Sequence, residues 1–401
     1  MPLFPSRFPP LDKTGKSPRI SLSNSAFAVI IECMEKKNTN TKYWIFGSIA
    51  FLVLVIALVA STTYRPKSAV QTFNETYTDL GFDTPITFQA TCTEAEFEKY
   101  ESILKSTFVD YNKIFDQYDE YEGVNNVYTL NQEAYDHPVE VPKAMIECLD
   151  MAIRAGEMDE RFDISEGKVL TLWHDAREAD TPYVPKDADI QAARQHKGIA
   201  ALAIDHDKNT VAFTDPNLKL DLGAIAKGYT AGVCAKRLHE AGLDNGYINA
   251  GGNVVLLGEK PDGKDWVIGI QSPDQSPSVV QFVTRRPVVM VTSGDYQRYM
   301  EVDGKRYSHI IDPTTGYPAA FMRSVTVISD ADQSAWADAM STTLFCMRVE
   351  DGMKFCEDNA LQAVWITDKE QSVPGLEPDF KTPQYNIYCT PGLKDALKLT
   401  M

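Results

Sequence analysis

Asp338 and Thr342 stand four residues apart in the run A-W-A-D-A-M-S-T-T-L-F-C-M, residues 335–347. The run is apolar at most other positions, which predicts a buried helix, and the i, i+4 spacing sends both oxygens from one helix face. A carboxylate and a hydroxyl are hard ligands suited to Mg2+, which leaves its other positions to waters or substrate phosphates. Taken alone, the helix is explained as well by an Asp favoured at a positive helix end and a Thr bonding back to the i−4 carbonyl. His309 offers a second chemistry in R-Y-S-H-I-I-D-P-T-T-G-Y-P, residues 306–318. There a strand carrying an imidazole runs into a polar turn, a setting for a general base, although a lone His is more often structural. Upstream, T-S-G-D-Y at residues 292–296 ends a strand in a Gly turn with a hydroxyl and a carboxylate exposed.

A third feature is L-D-L-G-A-I-A-K-G-Y, residues 220–229, continued by G-Y-I-N-A-G-G-N at 246–253. Alternation over residues 210–222 predicts a strand; Ile225, Tyr229, Val233 and Leu238 recur at helical spacing up to Gly242; residues 247–257 predict a second strand. Such a β-α-β unit turns through Gly223 and Gly228 and aims the free N–H groups of a helix N-terminus at a crevice that suits an anion. It is not a P-loop, because Tyr229 and Thr230 follow Gly228, and the spacing G-x-G-x-x-G is absent. The same glycines would also serve merely to pack helix closely on sheet.

The elements that must position these residues follow from periodicity. Residues 84–91 alternate as a strand, and residues 94–115 predict a helix with Phe97, Tyr100, Leu104, Phe108 and Tyr111 on its apolar side. Residues 116–126 read as a loop, and Pro142 opens another helix. Strands are predicted at 266–271, 279–283, 287–293 and 324–328, a hairpin at 296–302 and 305–311 turning at Asp303-Gly304, and a mixed, Pro-punctuated tail after residue 347. The fold class is mixed α/β, of the α+β kind.

The chain has 401 residues and a net charge of −17, which argues against nucleic acid as a partner. Residues 43–64 carry a charge-free apolar stretch of about twenty residues, long enough to cross a bilayer. Lys36, Lys37 and Lys42 flank its N-terminal side, so the positive-inside rule predicts a cytoplasmic tail at residues 1–42 and an extracytoplasmic bulk, with Arg65 and Lys67 weakening the asymmetry. A cleaved signal peptide is the alternative, with Ala57, Ala60 and Ser61 at its cleavage region and Met34 as a second start following an upstream extension. Residues 65–76 read as a linker and residues 77–401 as one extracytoplasmic domain. Seven cysteines show no C-x-x-C and sit in apolar contexts, as isolated buried thiols would.

Taken in order, F-D-T at Phe82, F-D-I-S at Phe162, D-L-G-A-I-A-K-G-Y at Asp221, N-A-G-G-N at Asn249, T-S-G-D-Y at Thr292, H-I-I-D-P-T-T-G-Y-P at His309 and A-D-A-M-S-T-T at Ala337 resemble the ApbE family, the extracytoplasmic FAD:protein FMN transferases. The resemblance implies that family's own α/β fold behind an N-terminal transmembrane or signal-anchor helix. It implies FAD as substrate, Mg2+ as cofactor, and passage of FMN to a Thr hydroxyl of an acceptor flavoprotein with release of AMP. Acceptors of this kind are subunits of membrane redox complexes, the sodium-pumping NADH:quinone reductase or the Rnf type. Carried over by position, Ala224, Asp338 and Thr342 would hold Mg2+, and His309 would be the base. Phe82, Tyr118, Arg161, Phe162, Asp163, Asp221, Lys227 and Ile311 would contact FAD. Glu160-Arg161 replaces the family's usual Gly-Ala, Asn253 stands where Asp often does, and a stretch after Asp368 is inserted. FAD hydrolysis to FMN and AMP, and a non-catalytic FAD-binding role, are the competing readings.

Overall fold

The computed structural model describes residues 69–400, apart from 196–197 and 275–277, and before them only Ile49, Leu52 and Val55. The chain divides into two units, residues 1–66 and 67–401. The predicted tail at 1–42 and membrane segment at 43–64 lie outside the described residues, save those three positions, which are helical and exposed. Among the described residues no helix is long and apolar enough to cross a membrane.

The second unit is built on a nine-stranded sheet. Its strands are β1 (Gln71–Tyr77), β2 (Ile86–Cys92), β3 (Tyr247–Ala250), β4 (Asn253–Leu256), β5 (Val288–Gly294), β6 (Ser324–Asp330), β7 (Gln362–Asp368), β8 (Phe380–Lys381) and β9 (Tyr385–Cys389). They lie in the order β1-β2-β3-β4-β5-β6-β7-β9-β8, every neighbour antiparallel. The helices are α1 (Glu94–Phe115), α2 (Val127–Glu133), α3 (Lys143–Met158), α4 (Gly167–Glu178), α5 (Asp187–Arg194), α6 (Ala226–Glu240), α7 (Ser334–Phe345) and α8 (Val349–Asp358).

Both faces of the sheet are covered, so its central strands read as continuous apolar runs instead of alternating. One face sends Phe88, Val289, Val291, Val325, Val327 and Trp365 into a core shared with Leu104 and Phe108 of α1, Leu238 of α6 and Met340 and Leu344 of α7. The other sends Met290, Ile328, Val364 and Ile366 against Trp266, Ile270, Phe282 and Leu397. Those last residues belong to a three-stranded ribbon, Trp266–Ile270, Val280–Thr284 and Leu397–Leu399. Six cysteines, Cys92, Cys148, Cys234, Cys346, Cys356 and Cys389, are buried and free.

Two expectations are corrected. The β-α-β unit is not one: the strand before α6 is only Thr210–Phe213, and it pairs in a separate ribbon with Val139–Glu140 and Leu202–Asp205. After α6, the run at 247–257 is a hairpin, β3 and β4, folded at Gly251 and Gly252. Both glycines have positive φ, 57° and 94°, the backbone that a two-residue hairpin turn demands. Residues 71–76, read as part of a linker, form edge strand β1 instead. Phe73 stacks on Phe97 at 4.4 Å, and Thr72–Thr91 and Thr76–Thr87 hydroxyl pairs at 2.9 Å cross to β2.

Candidate active site

The centre of the site is the crossing of α6 and α7. A Cβ on Gly228 would lie 2.5 Å from both Asp338 Cβ and the Ser334 carbonyl, so only glycine lets the two helices come this close. The contact is also polar: the Gly228 N–H donates to Asp338 Oδ2 at 2.8 Å. Gly228 is the third residue of α6, and the N–H groups of a helix's first turn have no partner within the helix, so Asp338 caps this one from α7. The Ala224 carbonyl, just before the helix, accepts no backbone hydrogen bond among the described residues. On α7, Thr343 bonds back to the Ala339 carbonyl at 2.9 Å, whereas the half-buried Thr342 hydroxyl makes no such bond.

Asp338 is 4 % exposed. Burial raises the pKa of its carboxyl, while the Lys227 charge, the Gly228 N–H and the Asn253 side chain favour the carboxylate. Asn253 is itself buried, with its amide turned toward Asp338. The Asp338 carboxylate, with the Thr342 hydroxyl one turn on along the same helix, offers hard oxygen donors of the kind that suit a dication. No group of three or more His, Cys, Asp or Glu side chains positioned for a metal occurs among the described residues, so such an ion would take Asp338 as its carboxylate and complete its shell elsewhere.

His309 follows the hairpin Tyr299–Val302 and Lys305–Ser308, which turns at Asp303 and Gly304 with φ of 52° and 73°. Its Nδ1 lies 3.0 Å from the Arg298 carbonyl, which can only accept, so Nδ1 carries the proton and Nε2 keeps its lone pair. Burial, then the positive charges of Lys227, Arg298 and Arg177, lowers its pKa from 6.5 to about 3. The imidazole is therefore neutral near neutral pH, with its Nε2 lone pair unprotonated. Lys227, whose Nζ approaches the Gly223 carbonyl at 3.5 Å, acts electrostatically on both His309 and Asp338, which ties the two groups to one site.

Asp221 holds the turn that enters α6. Its Oδ1 accepts from the Gly223 N–H at 2.7 Å and its Oδ2 from Gln117 Nε2 at 2.5 Å. Next to Gln117, Tyr118 is 56 % exposed, and its ring lies 5.1 Å from that of His174. Burial of its hydroxyl end and the charge of Asp221 push that hydroxyl up to about 12, with Arg177 and Arg298 acting against them. Phe82 sits in a turn of positive φ, 58°, half-buried, with its ring edge-on to Phe108.

The remaining carried-over residues have local duties. Phe162 is 2 % exposed, a core residue. Asp163 Oδ1 accepts from both the N–H and the hydroxyl of Ser165, at 2.8 and 2.5 Å. Arg161 pairs with Asp159 at 3.1 Å, and Ile311 is 6 % exposed in a two-residue bridge to Pro318. Sequence reasoning missed Arg177, Arg298, Gln117 and His174. Each is a single polar residue with no motif of its own, and only the tertiary fold brings it beside His309, Asp221 or Tyr118.

Comparison with known proteins places the chain among relatives of one family. The model of the ApbE family matches residues 81–365. A FAD:protein FMN transferase of Vibrio cholerae is 35 % identical over 258 residues, covering 63 % of this chain and 76 % of the relative. One from Klebsiella pneumoniae is 34 % identical over 249 residues, covering 61 % and 75 %. Among solved structures, the flavin transferase ApbE from Vibrio cholerae superposes with a TM-score of 0.67 at 27 % identity, over 82 % of this chain and 100 % of that one. The ApbE protein from Thermotoga maritima does so with a TM-score of 0.66 at 28 % identity, over 74 % and 94 %.

Proposed function

The chain belongs to the ApbE family and is a flavin-transferring enzyme, and on that premise we propose that it moves FMN from FAD to a threonine hydroxyl of an acceptor flavoprotein, with Mg2+ held by Asp338, Thr342 and the Ala224 carbonyl. One observation supports the reading: the buried Asp338 carboxylate, with the Thr342 hydroxyl one turn on along α7, caps the N-terminus of α6 through the Gly228 N–H at 2.8 Å. Bound there, Mg2+ would neutralise charge on the diphosphate of FAD.

The chain's own residues supply the rest. His309 Nε2 takes the proton of the acceptor hydroxyl. As that oxygen bonds to the flavin-side phosphorus, the P–O bond to the bridging oxygen breaks and its electron pair leaves with AMP. Lys227 keeps positive charge between Asp338 and His309, which disfavours a protonated base before substrate arrives. Asp221 fixes the turn that presents the N-terminus of α6, and Tyr118 offers an exposed ring against which a planar heterocycle can stack.

The apolar residues 43–64 and their flanking lysines support a cytoplasmic-membrane anchor with residues 77–401 on the extracytoplasmic side. Acceptors would then be flavoprotein subunits of membrane redox complexes, of the sodium-pumping NADH:quinone reductase or Rnf type. The test incubates the protein with FAD, Mg2+ and a Thr-bearing acceptor subunit and reads in-gel flavin fluorescence. A labelled acceptor band that disappears on Thr→Ala substitution in the acceptor is expected; a dark lane with an acceptor that a known transferase labels removes the proposal.

A further inference from the structure

Arg298 is bonded at both ends. Its carbonyl accepts from the backbone N–H of His309 at 3.1 Å and from Nδ1 at 3.0 Å. Its Nη2 donates to the Asp83 carbonyl at 2.8 Å and to that of Phe82 at 3.4 Å, with the Asp83 carboxylate 3.8 Å away. The turn it grips is strained, since Gly81, Phe82 and Asp83 have φ of 92°, 58° and 48° in succession. Side-chain-bearing residues keep such a backbone only where their surroundings hold it. A second hold comes from the opposite side, where Asn112 Oδ1 accepts from the Phe82 N–H at 2.7 Å.

We propose that Arg298 is a positioning residue that holds the turn at 81–83 and the base His309 in one register, so that the wall receiving the flavin and the group accepting the proton are aligned through a single side chain and its own carbonyl. The inference rests on FAD being the substrate and His309 the base. It also separates two effects of removing the side chain. The carbonyl stays, so His309 keeps its tautomer, while the turn loses its charged tie and Phe82 is free to move. The loss belongs to FAD binding and not to the chemical step. In addition, His309 is faced by three cations, Lys227 on α6, Arg177 on α4 and Arg298 itself. Taking one away makes the imidazole easier to protonate.

Three variants of the full-length protein in detergent test this, with FAD affinity read by flavin fluorescence and transfer by acceptor labelling. Arg298→Ala is expected to weaken FAD binding by about tenfold or more, the loss of a charged hydrogen bond, while the rate at saturating FAD stays within about threefold. The acid limb of its pH–rate profile should move to higher pH. Asn112→Ala frees the same turn without touching the surroundings of His309, so affinity should fall and the limb stay put. Arg298→Lys keeps the charge but not the two-carbonyl grip: an intermediate affinity and an unmoved limb are expected. If Arg298→Ala does not fold, the other two carry the test. Wild-type affinity in Arg298→Ala, or in both remaining variants, overturns the inference, as does a loss confined to the rate at saturating FAD. A wild-type protein that binds no FAD would instead overturn the reading on which the inference rests.

Discussion

Gly228→Ala is the sharpest probe of the α6–α7 crossing. The added methyl would sit 2.5 Å from Asp338 Cβ and from the Ser334 carbonyl, and 3.1 Å from Asp338 Oδ2. Carbon atoms rest about 3.5 to 4 Å apart, so the helices must separate by roughly 1 Å. Neither neighbour is the end of a flexible chain; both belong to the backbone or first side-chain atom of α7. Overpacking of this kind costs about 1–3 kcal/mol of stability, which a unit of this size survives. The site is less tolerant, because a shift of about 1 Å at a catalytic group costs on the order of a hundredfold in rate. Gly232→Ala is the matched control one turn on. Its methyl would meet Ser334 Cβ at 3.3 Å, a contact relieved by a small adjustment. The assay is acceptor labelling across a Mg2+ titration, with thermal unfolding recorded by circular dichroism. Folded Gly228→Ala should be close to inactive at all Mg2+ concentrations, and Gly232→Ala close to wild type. Equal activity in the two variants, with equal Mg2+ dependence, would refute the reasoning that the crossing builds the metal site.

Asp338→Asn keeps the volume and an oxygen but removes the negative charge; labelling should fall by at least about a hundredfold while FAD still binds, and undiminished turnover would falsify the metal assignment. His309→Gln should slow transfer by about a hundredfold or more with FAD affinity little changed, as read from separate rate and binding titrations; equal losses in both would make His309 a binding group. The same variant reports on acid stability. The folded pKa of His309, about 3, lies below its ordinary 6.5, so the unfolded chain takes up the proton first and this group's contribution is lost as pH falls from 6.5 toward 3. Melting curves should therefore shift in favour of His309→Gln as pH is lowered from 6.5 to 4, and a constant difference between the two proteins would contradict the burial of a neutral imidazole.

Local chemistry was legible where local physics decides. Helix α1 was read to the residue, because Thr93 caps it and Glu96 closes a reciprocal capping box, with an apolar stripe behind. The Asp303-Gly304 hairpin and α7 were equally plain. Helix α4 was missed because it opens on Gly167 and mixes Lys, His, Asp and Arg into its apolar stripe. The tail concealed β7 and β9, whose buried runs on both faces do not alternate. Strand partners were not legible at all: nothing within residues 210–213 says that they pair with 139–140 and 202–205 instead of joining the main sheet. For the site, Asp338 was ambiguous in sequence because a dipole-favoured Asp looks the same. What the sequence did not show is that Asp338 meets the Gly228 N–H at the start of α6, a contact across 110 residues.

The six buried thiols carry a consequence for how this chain meets oxidants. Burial pushes Cys92 up to about 11 and Cys356 and Cys389 up to about 12, so among the described residues these thiols offer almost no thiolate for disulfide exchange. An unfolded copy exposes these six together with Cys33, seven in all, at ordinary acidity. Folding itself is thus the antioxidant, and a colorimetric thiol reagent should find few reactive groups in the native protein and the full complement after denaturant.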